Sequence, residues 1–205
     1  MSTRFRNISF VVFIVMMFAM IAGCAPSAPA EQTSATEAAP AEKKVFVFGR
    51  YMDAVNPDPV MNDANADIWY MQQYYSGLLR FTKDNTVEAD LAERWEVSED
   101  QLTWTFYLKP DLKFADGSPI TPEDWEWSLN RARDPNNGIW SFTFDAVSEV
   151  TADEEKVVFS LTEPYTPFIY TPALFNAVVM PKKLVEAAGG WEAFMEKPIG
   201  AGPTL

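Results

Sequence analysis

The chain has 205 residues, with 16 basic and 29 acidic side chains, one cysteine and no histidine. An internal disulfide is therefore excluded, as are Cys/His zinc sites, Ser-His-Asp triads and Cys-His dyads. The net charge of −13 sets the chain apart from nucleic-acid binders, whose phosphate contacts need clustered Lys and Arg.

The amino terminus reads as an export signal. Arg4 and Arg6 precede an apolar run from Ile8 to Ala22 that is broken only by Ser9. This run is shorter than the roughly 20 residues a spanning helix needs, and small residues follow it. Residues 1–23 are thus expected to be cleaved rather than kept as an anchor. Ile21-Ala22-Gly23-Cys24 resembles the bacterial lipobox, which implies a lipid on the sulfur of Cys24. Cleavage would remove two arginines and no acids, leaving 14 bases, 29 acids and a charge of −15. Residues 24–42 are rich in Ala, Pro, Ser, Thr and Glu and hold no large apolar side chain. They cannot offset their ordering entropy by burial, so they read as a flexible tether.

From Lys43 onward there is enough aliphatic and aromatic content for a folded core. Val45 to Gly49 reads as a short buried strand. A polar loop from Asp53 to Asn65 contains Pro57 and Pro59, and Asn65 or Asp67 is placed to cap the next helix. Along it Ile68, Met71, Gln72, Tyr75 and Leu79 recur near helical spacing, with Gly77 weakening the end.

The middle section is strand-rich. Trp95–Val97 and Leu102–Leu108 form a predicted hairpin across Ser98–Gln101, with Leu102, Trp104, Phe106 and Leu108 on one face. Asp116-Gly117 is a turn. Thr121-Pro122-Glu123-Asp124 opens a helix: threonine caps it, proline takes the first position, and the acids sit at the positive end of the dipole. Trp125, Ser128, Leu129 and Ala132 recur along this helix, and Asp134-Pro135 stops it. A second hairpin joins Val147–Val150 to Val157–Leu161 through residues 152–155. Beyond it, Pro167–Leu174 is predicted helical and Ala177–Met180 a strand. Pro181–Ala188 is predicted as a helix ending at Gly189-Gly190. Pro198–Leu205 forms a loop entering a further strand. A mixed α/β body that stops at a strand entry reads as truncated.

Several of these segments, in order, resemble family 5 of the bacterial extracellular solute-binding proteins, the oligopeptide- and dipeptide-binding type. They include Tyr75-Ser-Gly-Leu-Leu79, Leu91-Ala-Glu-Arg-Trp-Glu-Val97, Leu102–Leu108 and Ser128–Arg131. Val158-Phe-Ser-Leu-Thr-Glu-Pro164, Met180-Pro-Lys-Lys183 and Pro198-Ile-Gly-Ala-Gly-Pro203 follow the same pattern. The most distinctive stretch runs from Leu112 to Asp124 and holds Phe114-x-Asp116-Gly117-x-x-Ile120-Thr121. Two positions depart from the pattern. Ala201 stands where threonine is usual, and Thr204 where an aromatic is common.

The resemblance implies the fold of the two-lobed periplasmic binding proteins. Residues 43–83 and 164–205 would belong to an incomplete first lobe and residues 84–163 to a small strand-rich lobe, with the closing lobe missing. It implies no enzyme activity, cofactor or metal. The implied role is the extracytoplasmic binding component of an ABC importer, monomeric and lipid-anchored to the outer face of the membrane. Such a protein takes a peptide between its lobes and delivers it to permease subunits. Oligosaccharide is the second ligand reading, and nickel chelates or haem stand behind it. A carboxylate pair among Glu93, Glu96, Glu99 and Asp100 would suit a glycosidase, but Glu99-Asp100 fall in a predicted turn and nothing fixes a separation. A lipid-anchored scaffold or adhesion domain explains the tether and leaves the family segments unexplained.

By the same resemblance, the loop of Asn62, Asp63, Ala64 and Asn65 approaches the ligand. Asp63 would face an amine, and Asn65 would offer both donor and acceptor. The competing reading is an ordinary solvated loop that caps the next helix. Trp140 is placed near the cleft, with a flat face and an N–H to donate; core packing is its alternative.

Overall fold

The computed structural model describes residues 47, 49, 51–62 and 64–202. The expected signal, Cys24, the tether, Asp63 and Thr204 lie outside them. The first helix, α1 (Asn65–Tyr74), begins at an Ala64 N-cap that makes no side-chain bond. Neither Asn65 nor Asp67 caps it, contrary to the sequence reading. Asp67 instead accepts the backbone N–H of Val55 at 2.7 Å, a use of its carboxylate that ties down the preceding loop. The helix stops before Gly77, because Tyr75 is already extended. Leu79 therefore belongs to β1 (Leu79–Phe81), which pairs antiparallel with β2 (Val87–Ala89).

The strand expected at Val45–Gly49 is not found at its two described positions. Val47 and Gly49 are irregular, and Val47 is 85% exposed. Residues 45, 46 and 48 lie outside the described residues.

A four-stranded antiparallel sheet follows, built from β3 (Ala92–Val97), β4 (Thr103–Leu108), β5 (Val147–Ala152) and β6 (Lys156–Leu161). The order is β3-β4-β6-β5, so the two predicted hairpins meet along β4 and β6. Trp104 pairs with Phe159, and Phe106 with Val157. The period of two puts Trp104 and Phe106 on the buried face, as the alternation predicts. Phe106 meets Phe159 edge to face, and Phe168 closes on both Phe159 and Trp104.

The helix α2 (Pro122–Arg133) covers that face with Trp125, Leu129 and Ala132. Its predicted capping box is present: Thr121 Oγ1 accepts the Asp124 N–H, and Asp124 Oδ2 accepts the Thr121 N–H at 2.9 Å. The other oxygen of Asp124 accepts the backbone N–H of Lys182, which seats α3 (Lys182–Ala188) against α2. Gly189, at φ +96°, ends α3 in the left-handed region. A short α4 (Trp191–Met195) follows.

Two further predictions are modified. Thr166–Ala173 is a 3-10 helix rather than an α-helix. It holds Pro167 and Pro172, which remove backbone donors. Ala177–Met180 is buried but contributes a single bridge, Val178 to Gly77, and no full strand. Residues 48–205 form one compact unit. Within it a core on the sheet face adjoins a smaller cluster of Met71, Tyr75, Val178, Met180, Val185 and Phe194.

Candidate ligand-facing corner

The loop before α1 is ordered by its own polar side chains. Asp58 Oδ1 accepts the N–H of Val60 at 2.9 Å, and the Asp58 carbonyl accepts the N–H of Asn62 at 3.1 Å. Asn56 accepts the Asp58 N–H and donates to the Met61 carbonyl, which closes the loop on itself.

A second loop leaves α2 at Asp134-Pro135. Asp134 accepts from the Asn136 backbone and side chain and from the Asn137 amide, which turns the chain back toward the first loop. At Gly138 the two backbones touch: a Cβ there would lie 2.2 Å from the Val60 carbonyl oxygen. Only glycine permits that approach.

Two residues on, the Trp140 indole N–H donates to the Asn62 carbonyl at 2.7 Å. Its ring meets Phe175 edge to face, with centroids 5.2 Å apart. The structure thus brings Asn62 and Trp140 together and uses the tryptophan's donor internally. What Trp140 retains for a ligand is part of its ring, since the residue is half-buried. Asn65 is exposed at the start of α1, and Ala64 is half-buried. Asn62 is fully buried, and neither atom of its side-chain amide has a partner among the described residues. Behind Trp140, Asn176 donates to the Trp140 carbonyl and to Thr143 Oγ1.

An ion pair the sequence reading missed holds the two loops at their base. Arg131, on the last turn of α2, donates to both carboxylate oxygens of Asp58, at 2.9 and 2.6 Å. Both side chains are nearly buried, and the Arg131 guanidinium lies 3.6 Å from the Trp191 ring centroid. Trp191 in turn stacks on Trp127, 5.4 Å away and within 8° of parallel. Asp58 and Arg131 are 73 residues apart, so no local signal in the sequence pairs them.

The consequence for the surface is specific. Among the described residues, Tyr51, Met52, Val55 and Met61 in the first loop, Ile139 in the second and Phe142 in the 3-10 helix that follows it (Ser141–Phe144) are exposed large apolar side chains. Together they are half of the exposed large apolar side chains identified in the described residues. Where such side chains gather into one contiguous patch they mark a binding surface, whereas single ones are ordinary. No group of three or more His, Cys, Asp or Glu residues arranged to hold a metal occurs among the described residues, and no described helix is long and apolar enough to cross a membrane.

Residues 86–203, more than half of the chain, match the family described as bacterial extracellular solute-binding proteins, family 5, middle region. The chain belongs to that family. Among curated relatives, it is 33% identical over 178 residues to the Probable D,D-dipeptide-binding periplasmic protein DdpA of Escherichia coli K12, covering 82% of this chain and 34% of the relative. It is 28% identical over 176 residues to the glutathione-binding protein GsiB of Pectobacterium atrosepticum, covering 83% and 34%. Among solved structures, the PBP/SBP MoaA of A. tumefaciens R10, in complex with mannopinic acid, superposes with a TM-score of 0.67 at 32% identity. That match covers 74% of this chain and 32% of MoaA. The chain thus spans about a third of the length of these relatives.

Proposed function

We propose that this chain is part of the extracytoplasmic substrate-binding component of an ABC importer that binds peptides and passes them to membrane permease subunits. One observation of the structure carries the reading. Two loops, locked together by Trp140 and Asn62, present exposed apolar side chains that a ligand and a closing lobe would cover. A cleft of this kind works by excluding water when it closes. The peptide class is supported by relatives named for D,D-dipeptides and glutathione. The protein acts by binding rather than by catalysis.

Asn62–Asn65 and Trp140 are the proposed contributors from this part of the chain. Trp140 would offer its ring, Asn65 its exposed amide and Asp63 its carboxylate to a peptide amine. Residues 43–83 and 164–205 would belong to a first lobe and residues 84–163 to a smaller one. Cleavage before Cys24 and lipidation of its sulfur would hold the protein at the outer face of the membrane, as a monomer on a flexible tether. Labelling cells with a palmitate analogue tests the anchor: Cys24→Ser should abolish incorporation.

A second ligand reading, a small sugar-derived acid, is supported by the 32% identity to MoaA, whose structure contains mannopinic acid. Isothermal titration of the complete protein with di- to octapeptides and with mannopinic acid separates the two. Saturable binding of one peptide per chain supports the proposal, and binding of mannopinic acid alone overturns the peptide class.

A further inference from the structure

Beside the ligand-facing corner, a groove of about 1110 Å³ opens between the first loop, the exposed side of α2, and α4. It shares Val55 and Met61 with the exposed apolar set of that corner, whereas Asn62, Ala64, Asn65 and Trp140 do not line it. Its aromatic surface is the stacked pair Trp127 and Trp191, with Met195 beside them. Five acids line the groove (Asp58, Glu123, Glu126, Asp134 and Glu192) against two bases, Arg131 and Lys182.

Both bases are already matched. Arg131 is held by Asp58, and Lys182 by Glu123 at 2.5 Å. The surplus of three negative charges falls on Glu126, Asp134 and Glu192. Glu126 spends one oxygen on the Ala152 N–H, Asp134 is used by Asn136 and Asn137, and Glu192 has no hydrogen bond or ion pair among the described residues. The aromatic surface already accepts one cation, since the Arg131 guanidinium sits over Trp191. A second cation placed over Trp127 would meet the same ring quadrupole, with carboxylates at the rim.

We propose that this groove is a second binding site, for a linear organic cation of the aliphatic polyamine class. The alkyl chain would lie along Trp127 and Met195, and the ammonium groups would face Glu126 and Glu192. The amides of Asn130, Asn136 and Asn137 offer acceptors between those charges. The inference does not depend on which solute the ligand-facing corner takes.

The test uses the complete protein lacking residues 1–24, titrated with spermidine at low salt and followed by heat and by tryptophan fluorescence. One molecule should bind per chain and perturb the emission. The double variant Glu126→Gln/Glu192→Gln should bind about three- to tenfold more weakly, as expected for two exposed ion pairs. Trp127→Leu should weaken binding about threefold. Glu93→Gln/Glu99→Gln, on the distant β3–β4 hairpin, should bind like the parent. Thermal unfolding of each variant separates lost binding from lost folding. The proposal is overturned if spermidine does not bind, if the control pair weakens binding as much as the groove pair, or if Mg²⁺ at equal charge produces the same fluorescence change.

Discussion

The indole N–H of Trp140 donates to the Asn62 carbonyl at 2.7 Å, a bond that spans 78 residues and fastens the loop after α2 onto the loop before α1. Trp140→Phe keeps an aromatic ring and removes the donor. The Asn62 carbonyl then loses its bond in a buried setting, at a cost of about 1–3 kcal/mol. Urea unfolding measures the loss, and an unchanged midpoint would mean that water replaces the indole.

Gly138 makes the same junction from the backbone side. A Cβ at that position would lie 2.2 Å from the Val60 carbonyl oxygen, and neither atom is the movable tip of a side chain. Gly138→Ala should therefore push the loops apart and destabilise the protein by about 1–3 kcal/mol. It should also weaken ligand binding, because the apolar side chains of the two loops would be displaced relative to one another.

The Asp58–Arg131 pair is the buried charge at the base of the corner. Arg131→Met leaves the Asp58 carboxylate buried without its cation, a change worth about 3–5 kcal/mol. Asp58→Asn on top of Arg131→Met removes the stranded charge and should recover part of that loss. Chemical denaturation of the two variants checks the ordering, and a double variant less stable than the single one would contradict it.

Asp90 sits beside Ser76 between β2 and β3, where burial pushes its carboxyl up from 3.8 despite the hydrogen bond from Ser76 and the charges of Arg80 and Lys109. A carboxyl whose folded pKa is raised contributes fully to stability below its unfolded value. That contribution is lost as pH rises through the folded value, so ionised Asp90 costs stability at neutral pH. Asp90→Asn should raise the thermal midpoint at pH 7, with the gain shrinking as pH falls through the raised folded value and gone below about 4. An equal or lower midpoint at pH 7 would show that Ser76, Arg80 and Lys109 outweigh the burial.

Local chemistry made much of this fold readable. The Thr121–Asp124 capping box lies within four residues, and the strands carrying Trp104, Phe106, Val157 and Phe159 repeat every second residue. The β1–β2 hairpin escaped because its strands are three residues long, too short for a period to show. The 3-10 stretch from Thr166 to Ala173 has helix-like spacing but two prolines, which cost it backbone donors.

Of the proposed site, the family resemblance singled out Trp140 and the loop around Asn62 without showing that they bond to each other. Nor did it show that Trp140 would spend its donor on Asn62, or that Arg131 would join Asp58. These partners are separated by 78 and 73 residues, and only the packing of α2 against the first loop brings them together. The family resemblance, carried by motifs such as Phe114-x-Asp116-Gly117, was legible because turns and caps leave short fixed patterns.

The most direct measurement is a thermal-shift screen of the complete protein, lacking residues 1–24, against di- to octapeptides, β-linked oligosaccharides and mannopinic acid. A ligand that binds only the folded state raises the midpoint by mass action. Peptides alone should raise it, and Asp63→Ala should reduce the rise. A shift with sugars or mannopinic acid but with no peptide would contradict peptide binding, and no shift with any of them would contradict a solute-binding role for these ligand classes.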